Sequence, residues 1–185
     1  MKNKILFLDT ETGGLNPAEC SLLSVGLVVW YDNKIIDSKE IFIKHDLFKI
    51  TPDALKINQI DILSFLNVAI EPKLAINEIL DFCVKHFEDE MPITLGGHNT
   101  NFDINFIKYF FNENKINFSN YFSHRFIDTA SILKYLYYAG KLEEDISSAD
   151  KAFKYFNIQI RNRHTALDDA EGTAILFSKL IELVK

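Results

Sequence analysis

The chain is poor in the features that would mark a secreted, membrane-bound or broadly basic protein. Its two cysteines, Cys20 and Cys83, are too few for a disulfide framework and lack metal-ligand spacing. No apolar run approaches the roughly 20 residues that cross a bilayer. Met1-Lys2-Asn3-Lys4 and the four apolar residues after it are shorter than a secretory signal. Positive charge is scarce, with 20 Lys+Arg against 26 Asp+Glu and a formal charge of −6. A protein so balanced has no broad basic field for gripping nucleic acid. Only three of the basic residues are arginine, so bidentate clamps on phosphate are few. A polyanionic substrate would have to be held by something other than net charge, and bound cations are the obvious candidate. Together these absences lead us to expect a reducing, cytoplasmic setting without membrane contact.

What is present reads as one globular domain over residues 1–185. Apolar residues make up 48% and charged residues 25%, ordinary values that exclude wholesale disorder. Ile5 to Leu8 is a short apolar run closed by Asp9-Thr10-Glu11 and Gly13-Gly14, the pattern of a central strand buried on both faces. Leu22 to Tyr31 and Lys34 to Lys44 form a hairpin about Asp32-Asn33. Helical segments follow at Pro52 to Asn58 and Lys73 to Phe87, then a short strand at Ile93 to Leu95 that ends at Gly96-Gly97. Further helices are expected over Asn101 to Phe111, Thr129 to Tyr138, Ser147 to Phe156 and Thr165 to Val184, with a short strand at Phe126 to Asp128. Three strands followed by alternating strands and helices predict an α/β fold with a mixed sheet, antiparallel at one side.

Three constellations carry chemistry. In Asp9-Thr10-Glu11, strand alternation puts both carboxylates on one side. Paired carboxylates repel unless a proton or cation lies between them, and clustered oxygens suit hard ions such as Mg²⁺ or Mn²⁺. A solvated turn after a strand is the plain alternative. The spacing also resembles the phosphatase motif of the haloacid dehalogenase class, but there the second acid is usually aspartate.

The second constellation is His98-Asn99-Thr100-Asn101-Phe102-Asp103. Thr100 and Asp103 have the spacing of a capping box. Against that, Asp103 shares its helical face with Phe106, Ile107, Phe110 and Phe111, and a carboxylate aimed at a core needs a cation or hydrogen bonds. Capping and ligation both remain open here. In the third, His164 to Asp169, the helical lattice separates two acids. Asp168 shares a face with Glu171, Ile175, Lys179 and Glu182, whereas Asp169 lies with Gly172, Thr173, Leu176 and Leu180. Asp169 is therefore the inward carboxylate.

Taken jointly, the order D-x-E, then D, then H-x₄-D resembles the DEDDh group of 3′–5′ exonucleases, which includes the proofreading subunit of bacterial replicative DNA polymerase, ribonuclease T and oligoribonuclease. The resemblance runs from Ile5 to about Leu183, and Asp128-Thr129 is similar to a structural strand-end aspartate of the group. It implies a ribonuclease H-like fold, a five-stranded mixed sheet flanked by helices on both faces. It implies two divalent cations, Mg²⁺ or Mn²⁺, about 3.5–4 Å apart, on Asp9, Glu11, Asp103 and Asp169. His164 would be the general base, acting on single-stranded DNA or RNA 3′ ends to release nucleoside 5′-monophosphates. Thr12, Leu15, Asn99 and Phe102 match positions that contact substrate. In the proofreading branch a DNA polymerase would be a partner.

The first motif reads D-T-E-T-G-G-L, unlike the D-L-E-M-T-G-L usual in oligoribonucleases, while Thr51 to Ile62 is similar to the corresponding stretch of proofreading subunits and ribonuclease T. Two other readings stand beside this one: a noncatalytic nucleic-acid-binding or polymerase-accessory subunit, and an oligoribonuclease-like enzyme on short RNA. Lys151, Lys154, Arg161 and Arg163 form a basic cluster near the third motif that either steers the incoming strand or is an ordinary solvated face.

Overall fold

The computed structural model describes residues 4–58, 62–161 and 165–185. Five strands form one mixed sheet in the order β3-β2-β1-β4-β5: β1 (Ile5–Thr12), β2 (Leu22–Tyr31), β3 (Lys34–Phe42), β4 (Ile93–Gly97) and β5 (Phe122–Asp128). β1 pairs antiparallel with β2 and parallel with β4, and β4 pairs parallel with β5. The helices are α1 (Pro52–Asn58), α2 (Ile62–Val68), α3 (Pro72–Phe87), α4 (Thr100–Glu113), α5 (Thr129–Tyr138), α6 (Ala149–Tyr155) and α7 (Ala166–Leu183). The expected five-stranded α/β class is thus the observed one. The β2–β3 hairpin turns where expected, with Asp32 and Asn33 at φ of 48° and 65°, the positive values that a tight two-residue turn requires.

Central β1 explains the position of everything else. Leu6 and Leu8 point to one face and join the core with Ile76, Ile79, Ile104, Phe106 and Ile107 of α3 and α4. Ile5 and Phe7 point to the other, where Ala170 and Ala174 of α7 and Trp30 of β2 enclose them. Burying each such large side chain stabilises the fold by about 1.5–3 kcal/mol. Ala166, Ala170 and Ala174 are fully buried at four-residue spacing, and these small side chains let α7 lie close against the sheet. The limit is reached at Gly26 of β2, where a Cβ would stand 2.2 Å from the Ala166 carbonyl oxygen. Only glycine admits the first turn of α7 there.

Three parallel strands end at one edge, and α4 and α5 start directly after β4 and β5. Ligands of open α/β sheets bind in the crevice beyond these carboxyl ends. Two expectations need adjustment. β5 begins at Phe122, four residues earlier than its apolar pattern suggests, because His124 and Arg125 lie exposed on this edge strand. α2 was not expected from the sequence. Its Phe65 is buried and in edge contact with the rings of Phe42 and Phe48, while Leu66 and Val68 are exposed.

Candidate active site

β1 extends through the whole Asp9-Thr10-Glu11-Thr12 motif, so its alternation applies to these side chains. Asp9 and Glu11 follow Ile5 and Phe7 onto the α7 face, and Asp169, in the first turn of α7, meets them there. One carboxylate oxygen from each of Asp9, Glu11 and Asp169 lies within 4.8 Å of the others. Glu11 is buried, and Asp9 and Asp169 are half-buried. Three acids drawn this close by two elements, β1 and α7, fit a hard divalent cation, whose preferred ligands are carboxylate oxygens.

Asp103 arrives from the opposite face of the sheet. It is 3% exposed in the first turn of α4, and the Thr10 hydroxyl donates to its Oδ1 at 2.7 Å. Thr10 alternates with Asp9 and Glu11, so it points toward α4. Burial pushes the Asp103 carboxyl up to about 7. The Thr10 hydroxyl and backbone N–H pull against that shift, and the charge of Asp128 adds to it. Asp103 is thus tied to β1 through Thr10 and is not a member of the three-acid cluster, its helix lying across β1 from α7.

The capping box is not formed. Thr100 is the first residue of α4, preceded by Asn99 in the left-handed conformation (φ 60°), and neither side chain caps the helix. Asp128 does so instead. Its Oδ1 accepts the Asn99 N–H at 2.7 Å, and its Oδ2 accepts the N–H and hydroxyl of Ser131 in α5. Burial alone would raise the Asp128 carboxyl, but the donors from Ser131, Asn99 and Thr100 outweigh it and hold it below the usual carboxylate range. Thr100 Oγ1 donates to the Ile127 carbonyl and Thr129 Oγ1 to that of Gly97, each at 3.0 Å, and His98 Nδ1 lies 2.9 Å from Thr129 Oγ1. These bonds lock the ends of β4 and β5 to the helices they launch.

A cavity of about 620 Å³ opens beside the acids, with Asp9, Glu11 and Asp169 in its wall. Of the expected substrate positions, Thr12, Leu15 and Phe102 line it, and Asn99 does not. Leu15 is 85% exposed at the mouth. The far wall comes from residues that sequence reasoning had not assigned: Asn16, Glu19, Cys20, Thr51, Asp53, Ala54 and Asn58. Backbone bonds set its shape, from Gly13 N–H to Ser21 and from Thr51 N–H to Gly13, both 2.7 Å, and Asn58 Nδ2 donates to the Thr12 carbonyl at 2.9 Å. At Gly13 a Cβ would lie 2.0 Å from the Lys49 carbonyl oxygen, so a side chain there would break this wall. The similarity of Thr51 to Ile62 to family sequences was the one signal for it. His164 and Arg163 lie outside the described residues; Lys151, Lys154 and Arg161 are exposed.

An acid-lined crevice at the carboxyl ends of a mixed sheet suits metal-dependent chemistry on a phosphate ester. Comparison with known proteins agrees in class: the exonuclease family model RNase_T matches residues 6–177, and the chain belongs to that family. It is 30% identical over 185 residues to ribonuclease T of Buchnera aphidicola subsp. Schizaphis graminum, covering 94% of this chain and 81% of the relative. It is 26% identical over 184 residues to the PolC-type DNA polymerase III of Caldanaerobacter subterraneus subsp. tengcongensis, covering 98% of this chain and 12% of the polymerase. The chain thus spans about an eighth of the length of the PolC-type relatives it matches. Among solved structures, E. coli exonuclease I in complex with a dT13 oligonucleotide superposes with a TM-score of 0.81 at 18% identity, over 97% of this chain and 41% of that one. Among the described residues, no helix is long and apolar enough to cross a membrane.

Proposed function

We propose that this chain is a 3′–5′ exonuclease that removes nucleoside 5′-monophosphates from single-stranded nucleic acid with the help of two divalent cations, Mg²⁺ or Mn²⁺. The observation that carries this reading is the meeting of Asp9, Glu11 and Asp169 within 4.8 Å at the wall of a large open cavity. These three would hold one cation, with Asp9 reaching to a second that Asp103 supports. When bound, the cations lower the pKa of a water and neutralise charge developing on the phosphate.

The remaining steps fall to the chain's own groups. His164, placed by the third sequence motif, takes the proton of the attacking water; an unperturbed imidazole pKa of about 6.5 suits it to that task. Water oxygen bonds to phosphorus, the P–O3′ bond breaks with its electron pair passing to the 3′-oxygen, and that oxygen takes up a proton from solvent water to become the new 3′-hydroxyl. Leu15 and Phe102 offer apolar surface to the terminal base, and stacking of this kind tolerates any base. Thr12 and the backbone about it would meet the terminal 3′-hydroxyl, and Asn99 the strand nearby. Likeness to both a polymerase and a ribonuclease supports a substrate defined by its free 3′ end, and the polymerase likeness supports a DNA polymerase as a partner.

The test is a time course on single strands labelled either at the 5′ end or in the 3′-terminal nucleotide, run as DNA and as RNA. A ladder shortening one nucleotide at a time, with mononucleotide released from the first time point, is expected. Binding without release would favour the accessory-subunit reading, cleavage confined to dinucleotides would favour an oligoribonuclease, and internal fragments would contradict exonuclease action.

A further inference from the structure

Glu40 belongs to none of the three motifs, yet it sits in the same cross-strand row as Asp9. Asp9 pairs with Gly26, and Gly26 with Glu40 on the outer strand β3. Paired residues of antiparallel strands face the same side, so Glu40 points to the α7 face. Its partners there are specific. Ser24 Oγ donates to Oε1 at 3.2 Å, and the backbone N–H groups of Leu167 and Ala166 are turned to the carboxylate.

An α-helix leaves the N–H groups of its first turn without intrahelical partners. Thr165 Oγ1 accepts from Asp168 N at 3.3 Å, and Asp169 N, bonded to the Thr165 carbonyl at 3.1 Å, begins the regular ladder. The amides of Ala166 and Leu167, at the same helix end, face the Glu40 carboxylate. A carboxylate at this end also matches the helix dipole. Burial nevertheless pushes the Glu40 carboxyl up and the charge of Asp168 adds to that, opposed by the Ser24 and backbone donors. Two further ties fasten α7 to the sheet, Ser38 Oγ to Glu171 Oε1 and Trp30 Nε1 to Ser178 Oγ, both 2.8 Å. Neither touches the first turn, which carries Asp169.

We infer that Glu40 is a positioning residue of the nuclease centre: its carboxylate, anchored by Ser24 and set against the start of α7, holds the register in which Asp169 faces Asp9 and Glu11. The inference rests on the exonuclease reading. Outer-shell groups that orient metal ligands commonly alter affinity by about 10–100-fold when removed.

The experiment measures Mn²⁺ binding to the full chain by calorimetry, alongside kcat and KM on a single-stranded oligonucleotide. The proteins are wild type, Glu40→Gln, Glu40→Asp and Ser38→Ala. Glu40→Gln should weaken Mn²⁺ binding about tenfold and lower kcat with little change in KM. Glu40→Asp, which keeps the charge but withdraws it by one methylene, should fall between. Ser38→Ala cuts a neighbouring tie of the same helix and should lower Tm while leaving Mn²⁺ affinity at the wild-type value. Wild-type Mn²⁺ affinity in both Glu40 variants, or an equal loss in Ser38→Ala, would overturn the positioning role. If the wild type itself neither bound Mn²⁺ nor hydrolysed the strand, the exonuclease reading would fail instead.

Discussion

Thr10 and Asp103 are joined through the sheet's edge: the threonine hydroxyl of β1 donates to the carboxylate of α4 at 2.7 Å, 93 residues away in sequence. The middle residue of the D-x-E motif thereby fixes the acid of the second motif, while its neighbours on either side face α7. A buried acceptor that loses its donor costs about 1–3 kcal/mol. Thr10→Val should therefore lower unfolding stability by about that amount, read as a shift in the urea midpoint without change in slope. An unchanged midpoint would show that the bond contributes nothing net.

Gly26 sets how near α7 can come. With a Cβ at 2.2 Å from the Ala166 carbonyl oxygen, Gly26→Ala must push the helix start away from the sheet. Overpacking of this kind costs about 1–3 kcal/mol. Because Asp169 moves with that turn, activity should fall well below what the stability loss explains at a temperature where the variant is fully folded. Normal turnover in a folded Gly26→Ala protein would contradict a rigid link between β2 and Asp169.

Asp128 caps two helices, so removing it opens both. Lost caps cost about 1 kcal/mol each, and Asp128→Ala should lose about 2 kcal/mol near neutral pH. Its folded carboxyl lies below the ordinary 3.8. The stabilisation is thus fully present above that ordinary value and is lost as pH falls through the folded one. Chemical denaturation of wild type and variant at stepped pH should show the gap closing only below about pH 4. A gap independent of pH in that range would mean the capping does not depend on the charge.

His164→Ala should lower kcat by about 10²–10⁴-fold, the usual contribution of a general base, while Mn²⁺ binding persists. A variant with wild-type kcat would remove histidine from the mechanism, and one that no longer binds Mn²⁺ would make it a ligand.

How legible this was depended on whether local spacing or distant register did the work. Strand alternation placed Asp9 and Glu11 together, and the helical lattice separated inward Asp169 from Asp168; both follow from periods of 2 and 3.6 residues. The same lattice put Asp103 on a buried face, but no spacing says that this face lies across the sheet from α7. The capping-box spelling of Thr100 and Asp103 misled for a related reason: the cap comes from Asp128, on another strand. Glu40 was invisible within a strand that reads Asp-Ser-Lys-Glu, an ordinary solvated edge until the pairing with Gly26 is known. The cavity's far wall depends on backbone bonds between loops, which leave no periodic trace.

The most direct measurement is turnover of a 3′-labelled single strand after dialysis against EDTA, followed by titration with Mn²⁺, in wild type and in Asp9→Ala. The expected result is no release of labelled mononucleotide without the ion, recovery as Mn²⁺ is added to wild type, and none in Asp9→Ala at any Mn²⁺ concentration. Turnover that survives EDTA, or that Asp9→Ala retains, would contradict a centre built by carboxylates converging on a divalent cation.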